Sequence, residues 1–209
     1  MELHPIIQKS FDIIDQEFGP HQFTPEEYAI VRRTIHSSAD FELKKLLTFS
    51  EKSIERSIHY LQKGLPIVTD VSMVAQGIRS MAKQTFQNPI INALDYAATI
   101  PEGATRTETG VLNALQKYPD AIYVIGNAPT ALIALCHQLG INHDTSLKPA
   151  VVIGAPVGFV SVVESKALLM QTEIPKIVVQ GRKGGSAVAA GIMNALLHLA
   201  WQQQSQAKS

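Results

Sequence analysis

The loop at residues 181–186 contains the residue types that proteins use to hold an anion. Its residues, in order, are Gly181, Arg182, Lys183, Gly184, Gly185 and Ser186. Glycines allow backbone N–H groups to turn toward an anion, and the start of the helix that is expected to follow adds partial positive charge. The spacing matches neither G-x-x-x-x-G-K-[ST] nor G-x-G-x-x-G, so it predicts an anion site without identifying a nucleotide.

His36 is the candidate for proton transfer. Arg32 and Arg33 precede it by four and three residues, and on a helix these spacings place the three side chains on neighbouring faces. Cationic neighbours favour the neutral imidazole, whereas Asp40, one turn later, favours the charged form. Opposed influences of this kind leave a histidine titrating near neutral pH, which suits acid–base catalysis. The alternative is a histidine that caps carbonyls at a helix end, and the pattern alone favours that interpretation.

Other kinds of catalytic site lack their sequence signatures. None of the seven histidines forms an H-x-x-x-H pair and no CxxC is present, so no metal site is predicted. The G-x-S-x-G motif of serine hydrolases is absent as well. Cys136 is the single cysteine of the chain, which excludes an internal disulfide and suits a reducing compartment.

The composition excludes several classes of partner. The 18 Lys and Arg residues balance 18 Asp and Glu residues, so no overall field attracts nucleic acid or an acidic membrane. The chain has 209 residues, of which 45% are hydrophobic, and this is enough for one domain with a substantial core. It has neither a signal-peptide pattern nor an apolar run of 18 residues, so we expect a cytoplasmic protein without membrane contact.

The elements that must position these residues change in type along the chain. Residues 1–64 are predicted to be helical only, and Thr24 with Glu27 forms a capping box at one helix start. Between residues 65 and 204, helix-like segments alternate with four short apolar runs. The runs read LPIVTD, AIYVIG, AVVIGAP and KIVVQG. Nearly continuous apolar residues of this kind are typical of strands that are buried on both faces.

This alternation predicts the α/β fold class, with a mainly parallel sheet between layers of helices. We expect a single domain, 1–209, in which the helical portion packs on the α/β core. In such a sheet, ligands bind at the carboxyl ends of the strands, where the turns into the helices gather. Four such turns are expected, at 69–73, 126–131, 154–160 and 181–187. Together they predict a broad concave edge that is lined with backbone donors.

Arg106 is a further candidate at this edge. It lies in the first turn of a predicted helix that Thr105 and Glu108 cap, where the helix dipole disfavours a cation. A cation in an unfavourable place suggests a functional role, and a solvated arginine is the alternative.

Seven segments of the chain resemble the motif series of the precorrin-8X methylmutases, which are isomerases of cobalamin biosynthesis. In chain order they are HPIIQKSFDII, RRTIHSSAD, PIVTDVSMVAQGI, TRTETG, IGNAPTAL, VIGAPVGFVSVVESK and GRKGGSAVAAGIMNAL. The resemblance implies a three-layer α/β/α domain and a homodimer with its active site close to the subunit interface. It also implies that His36 is the catalytic acid/base and that Ser10 and Arg33 contact the substrate. Arg106 and the loop residues 182–186 are added as substrate contacts from the residue pattern.

The substrate of that family is a tetrapyrrole with many acetate and propionate arms, so a carboxylate is the anion to expect at the loop. Its apolar face needs apolar walls, for which Met73, Pro129 and Phe159 are candidates. The implied reaction moves a methyl group from carbon 11 to carbon 12 of the macrocycle, giving hydrogenobyrinate or its cobalt counterpart, without a cofactor or a protein-bound metal. Two alternatives remain open: a corrinoid carrier without turnover, and a phosphate- or nucleotide-binding α/β enzyme.

Overall fold

Helices and short strands alternate along the chain in the computed structural model, which describes residues 4–141 and 147–207. The α-helices are α1 Pro5–Phe18, α2 Pro25–Ser38, α3 Leu43–Leu46, α4 Ser53–Gln62, α5 Ser72–Gln84, α6 Arg106–Lys117, α7 Pro129–Ile141, α8 Val162–Met170 and α9 Ser186–Ala207. The strands are β1 Leu47–Phe49, β2 Ile67–Thr69, β3 Ile90–Asn92, β4 Ile122–Ile125, β5 Val151–Gly154 and β6 Lys176–Val179. A short 3-10 helix, Ala93–Tyr96, follows β3.

The six strands form one sheet in the order β1-β6-β5-β4-β2-β3. Strands β2 to β6 are parallel to their neighbours, and β1 lies antiparallel to β6 at one edge. The chain goes from β2 outward to β3, then crosses back over β2 to β4 and continues toward the other edge. The strand order therefore reverses between β2 and β4, and in doubly wound sheets the crevice at such a reversal is where ligands bind.

Alternate strand residues point into two separate apolar cores, as the pleat of a strand requires. On one face Ile67, Ile122, Ile153 and Ile177 pack with helices α1, α2, α4, α5 and α9. On the other face Val68, Tyr123, Val152 and Val178 pack with α6, α7 and α8. The predicted three-layer α/β/α class is confirmed.

Four strands and both capping boxes are found where the sequence predicts them. The prediction that residues 1–64 are helical only is wrong at β1, three residues whose extended conformation depends on pairing with β6. The division of the chain into a single domain stays a prediction. Among the residues that the structure describes, no helix is both long and apolar enough to span a membrane.

Candidate active site

Three elements meet closely at Gly126, directly after β4. A Cβ on this residue would lie 2.7 Å from Val74 Cγ2, 2.8 Å from Ala189 Cβ and 3.2 Å from Ser186 Cα. Only glycine fits in this space, so the end of β4 comes into contact with the first turns of α5 and α9. The crevice at the strand-order reversal is therefore narrow, and the helix starts around it are held in fixed positions.

One of the four predicted turns is already occupied by a carboxylate of the protein itself. Asp70 directly follows β2 and is fully buried. It accepts hydrogen bonds from the backbone N–H groups of Gly126 at 3.0 Å, Asn127 at 2.7 Å and Ala128 at 2.8 Å. Burial raises the pKa of the Asp70 carboxyl, and the three amides oppose that rise. The expectation that the turn at 126–131 offers free donors is wrong for residues 126–128, because Asp70 uses their amides to join β2 to β4.

The glycines of the 181–186 loop serve close packing rather than a phosphate cradle. Gly184 and Gly185 have φ values of 151° and 109°, which other residues rarely adopt. A Cβ on Gly184 would lie 2.3 Å from the carbonyl oxygen of Ala155 and 2.8 Å from that of Pro156. The Gly185 N–H donates to the Ala155 carbonyl at 2.8 Å. The two glycines thus let this loop lie directly on the turn that follows β5.

The start of α9 still has free donors. The backbone N–H groups of Ser186, Ala187 and Val188 have no acceptor among the residues that the structure describes. They are the first amides of a helix of 22 residues, where the helix dipole favours an anion. The predicted anion-binding capacity therefore lies in the first turn of α9, next to the glycine pair.

The two cations of the loop differ in their surroundings. Lys183 Nζ lies 2.6 Å from Asp40 Oδ2 and 2.8 Å from Glu42 Oε2, so it ties the segment after α2 to the loop. Arg182 is exposed, with its guanidinium 5.8 Å from the centre of the Phe159 ring. Of the two, Arg182 is the one without a counter-charge in the described part of the chain.

His36 lies in the last turn of α2, partly buried, with its ring edge-on to Phe11 at 5.3 Å between ring centres. Burial and the nearby charge of Arg33 lower the pKa of His36. The expected upward influence of Asp40 is wrong, because Lys183 binds that carboxylate. The capping alternative is wrong as well, since His36 makes no hydrogen bond to a carbonyl of the described chain. At neutral pH its imidazole is uncharged and able to accept a proton.

A cleft of about 150 Å³ opens between α1, α2, α5 and α9, and Phe11, Arg33 and His198 are among its lining residues. Phe11 also contacts the His36 ring, so one wall residue of the cleft joins it to that imidazole. Burial lowers the pKa of the Arg33 guanidinium, and no acidic group within salt-bridge distance in the described residues balances its charge. Arg32, by contrast, pairs with Asp15 at 2.9 Å.

Three buried polar atoms on the walls of this cleft have no hydrogen-bond partner within the described part of the chain. They are Arg32 Nε, Asn194 Oδ1 and His198 Nδ1. Burial lowers the pKa of His198, and the charges of Arg33 and Arg32 add to that effect. The cleft is therefore electropositive and lacks an anion. Neither Asn194 nor His198 was predicted as a site residue, although two polar residues four apart on an otherwise apolar helix were the available signal.

The other predicted contacts lie at different distances from His36 along the fold. Ser10 precedes Phe11 on α1 and is partly buried, with its Oγ donating to the Ile6 carbonyl at 2.9 Å. Arg106 begins α6, which packs on the opposite face of the sheet from α2. Its side chain is exposed, and its Nη2 lies 3.5 Å from the Leu94 carbonyl. Ser10 therefore lies on the helix whose Phe11 contacts His36, and Arg106 lies on the opposite face of the sheet.

Apolar side chains are exposed at the same edge of the sheet. Met73 at the start of α5 is 72% exposed, and Phe159 and Val160 after β5 are 85% and 82% exposed. Pro129, the third candidate for an apolar wall, is partly buried at the start of α7. Met73 and Phe159 therefore supply apolar surface beside the free donors of α9.

Reactive groups of other kinds are not assembled in the part of the chain that the structure describes. Burial raises the pKa of the Cys136 thiol to about 12, so this cysteine is no nucleophile at neutral pH. No group of three or more His, Cys, Asp or Glu side chains in the described residues is placed to hold a metal ion.

The model of the precorrin-8X methylmutases matches residues 5–199. The chain belongs to the precorrin-8X methylmutase family. A cobalt-precorrin-8 methylmutase from Synechocystis sp. is 48% identical, covering 96% of this chain and 97% of the relative. A precorrin-8X methylmutase from Sinorhizobium sp. is 34% identical over 91% of this chain and 92% of the relative. The crystal structure of the precorrin-8X methylmutase from Thermus thermophilus superposes with a TM-score of 0.84 at 39% identity, covering 96% of this chain and 99% of that one.

Membership of this family confirms the resemblance that the seven sequence segments indicated. The protein is an isomerase of the methylmutase type. The fold of the Thermus thermophilus enzyme extends over nearly the whole chain, so the strand-order reversal and the helix starts described above are elements of a methylmutase domain.

Proposed function

We propose that the protein moves a methyl group from carbon 11 to carbon 12 of precorrin-8X or of its cobalt form, with His36 as the acid/base. The observation that carries this proposal is the place of His36. Its imidazole is kept neutral by burial and by Arg33, and it contacts Phe11, which lines an electropositive cleft. The product is hydrogenobyrinate, or the corresponding cobyrinate from the cobalt form.

Local donors rather than net charge support binding of a polycarboxylate. The chain has no net charge, yet the first amides of α9 and the exposed Arg182 lie where the helices start after the strands, and the unpaired Arg33 lines the cleft between α1, α2, α5 and α9. Met73 and Phe159 offer apolar surface for the face of the macrocycle. In our proposal the cleft beside His36 takes one acetate or propionate arm, whose carboxylate meets Arg33 and His198.

The reaction is internal to the substrate, because the methyl group leaves one ring carbon and bonds to its neighbour in the same molecule. Substrate and product are isomers, so a proton that the His36 imidazole takes up during the shift must return to the macrocycle within the turnover. Proton transfer by a positioned side chain is typically worth about 10²–10⁴-fold in rate. Fixing the macrocycle between the donors and the apolar surface supplies the rest.

Replacing His36 with Ala tests this assignment. Turnover should fall about a hundredfold or more, because the proton acceptor is lost. The corrinoid product should still bind within roughly tenfold of wild type, since the free amides and Arg33 are retained. The visible spectrum follows both reactions, with precorrin-8X and its cobalt form supplied separately. His59→Ala, which removes an exposed imidazole from α4, is the matched control.

Each alternative gives a different result in the same assay. Normal turnover by a folded His36→Ala protein would contradict the catalytic role, and loss of binding together with turnover would make His36 a ligand-positioning residue. A wild-type protein that binds the corrinoid without converting it would be a carrier. A thermal shift with nucleotides, and none with the corrinoid, would favour a nucleotide-binding enzyme.

We also propose that the protein acts as a homodimer. Exposed apolar side chains after β5, at Val157, Phe159, Val160 and Val163, give a second copy an apolar surface close to the proposed site. Light scattering at micromolar concentration should report twice the mass of the 22.8 kDa chain. The mass of a single chain would refute the dimer and leave the catalytic proposal untouched.

A further inference from the structure

Lys166 on α8 is a buried lysine without a counter-charge. Its side chain has no exposed surface, and no carboxylate lies within salt-bridge distance of it in the described residues. Burial lowers the pKa of the Lys166 ammonium to about 8. Because placing an unpaired charge inside a protein is unfavourable, such a residue is expected to have a specific task.

The task visible in the structure is to hold the backbone of the 181–186 loop. Lys166 Nζ donates to the carbonyls of Gly181 and Lys183, at 2.7 Å each. The carbonyl between them, that of Arg182, accepts from the Gly158 N–H at 3.2 Å. Three successive carbonyls of the loop are therefore engaged by donors of the protein.

This arrangement decides which polar groups are free for a substrate. Carbonyl oxygens that faced the site would repel a carboxylate, whereas amide N–H groups attract one. With the three carbonyls engaged by Lys166 and Gly158, the first amides of α9 and the Arg182 side chain are among the groups without a partner in the described residues, and Gly184 has the one loop carbonyl of residues 181–184 that no donor engages there. Apart from that carbonyl, these free groups are donors or cationic, which suits an anionic ligand.

We infer that Lys166 is a positioning residue for the methylmutase reaction: it holds the 181–186 loop so that α9 amides and Arg182, and not the carbonyls of residues 181–183, face a substrate carboxylate. This inference rests on the proposed function, because it takes the carboxylated macrocycle as the ligand. Lys166 itself does not contact the substrate.

A second buried lysine provides a matched control. Lys176 is the first residue of β6, and the 181–186 loop follows the other end of this strand. The Nζ of Lys176 donates to the carbonyls of Thr172 and Met170. Burial lowers the pKa of Lys176 as well. Both lysines are buried and donate to two backbone carbonyls. The carbonyl partners of Lys166 follow the end of β6, whereas those of Lys176 precede its start.

The experiment compares Lys166→Met with Lys176→Met. Methionine keeps the length and the apolar stem and removes the donors. Trypsin cleavage after Arg182 and Lys183 should become about tenfold faster or more in Lys166→Met, because the loop opens more often. Cleavage in Lys176→Met should match wild type at these two bonds. The urea midpoint of each variant separates local opening from global unfolding.

Activity measurements then connect the loop to the substrate. KM for precorrin-8X or its cobalt form should rise about tenfold in Lys166→Met, while kcat stays within about threefold, because His36 is unaffected. If Lys166→Met does not fold, Lys166→Gln, which keeps an N–H donor, is expected to show the same pattern at smaller amplitude.

Two results would overturn the inference. A folded Lys166 variant with the wild-type cleavage rate would show that the lysine does not hold the loop. Faster cleavage with an unchanged KM would show that the loop conformation does not matter for the substrate. A wild-type protein that binds neither corrinoid would instead refute the proposed function, and the cleavage comparison distinguishes that outcome from the first.

Discussion

Two helices start at the same edge of the sheet, and the backbone amides around their starts are used in opposite ways. At the start of α7, the N–H groups of Gly126, Asn127 and Ala128 are engaged by the buried Asp70 carboxylate. At the start of α9, the amides of the first turn have no partner in the described residues. The first of these turns is closed by the protein, and the second is open.

In one turn the anion on the amides is a carboxylate of the chain itself, and in the other we propose that it is a carboxylate of the ligand. In the closed turn, the carboxylate is part of the chain and joins β2 to β4 where the strand order reverses. In the open turn, Lys166 engages the carbonyls of Gly181 and Lys183, and the first amides of α9 have no partner in the described residues. The closed turn should therefore determine stability, and the open turn should determine affinity.

Removing the carboxylate of the closed turn should have the largest effect on stability. Asp70→Ala leaves three amides without an acceptor in a buried place, so we expect the free energy of unfolding to fall by about 3 kcal/mol or more. Urea unfolding followed by circular dichroism measures it. Asp95→Ala, at an exposed carboxyl group of the 3-10 helix, should change stability by about 0.5 kcal/mol or less. A stable Asp70→Ala protein would contradict the structural role of this turn.

A pair of proline substitutions compares how much each turn contributes to stability. Asn127→Pro removes an N–H that donates to Asp70 at 2.7 Å, and should lower the free energy of unfolding by about 2 kcal/mol. Ala187→Pro removes a free N–H from the first turn of α9, where proline is tolerated, and should cost about 0.5 kcal/mol or less. The same Ala187→Pro variant should bind the corrinoid product about tenfold more weakly in an absorbance titration. Equal stability losses in the two variants would remove the distinction between the turns.

Replacing Arg33 extends the comparison to the cleft beside His36. Arg33 lowers the pKa of His36, so Arg33→Gln should raise that pKa toward the ordinary histidine value. If neutral His36 is the active form, the wild-type rate declines as the pH falls through a pKa below 6.5, and the variant declines at a higher pH. NMR titration of the His36 imidazole and the pH dependence of kcat measure the shift. Arg79→Gln on α5 is a control with an exposed arginine and should leave both unchanged.

A change in salt concentration should have the smallest effect of the four tests, and it should affect the open turn but not the closed one. Charge interactions at partly exposed groups are screened over about 8–10 Å at moderate ionic strength, whereas buried ones are screened much less. Affinity for the corrinoid product should therefore fall a few-fold between about 0.05 M and about 0.5 M salt. The part of the stability that depends on Asp70, measured as the difference between wild type and Asp70→Ala, should stay the same. An affinity independent of salt would count against carboxylate binding at the open turn and the cleft.

Much of the fold follows from local patterns in the sequence, and the two missed strands show where such patterns end. The four predicted strands are runs whose residues are buried on both sides, so their composition differs sharply from that of the helices. Strands β1 and β3 have three residues each, with a polar residue in each at Thr48 and Asn92. Their extended conformation comes from pairing with β6 and β2, which no short segment encodes.

The candidate site was predictable to a similar degree. His36 and Arg33 stand out because their spacing on one helix is a local property. The partner of Asp70 is not local, since the amides that it accepts from are 56 to 58 residues away in the chain. Lys166 and the carbonyls of the loop pose the same difficulty at shorter range. The remaining signal is a charged residue at the end of, or inside, an apolar segment, and both Asp70 and Lys166 meet that description.

The buried carboxylate of Asp70 also bears on competition inside a cell. Doubly wound sheets often bind nucleotides at the crevice where their strand order reverses, and cells contain far more nucleotides and inorganic phosphate than biosynthetic tetrapyrroles. In this protein the negatively charged side chain of Asp70 lies at that crevice and accepts from three amides that a phosphate would need. Because Asp70 already occupies these amides, we expect that abundant phosphates cannot bind them, even before any selection between ligands takes place. The proposed substrate then competes with phosphates only at the donors that remain.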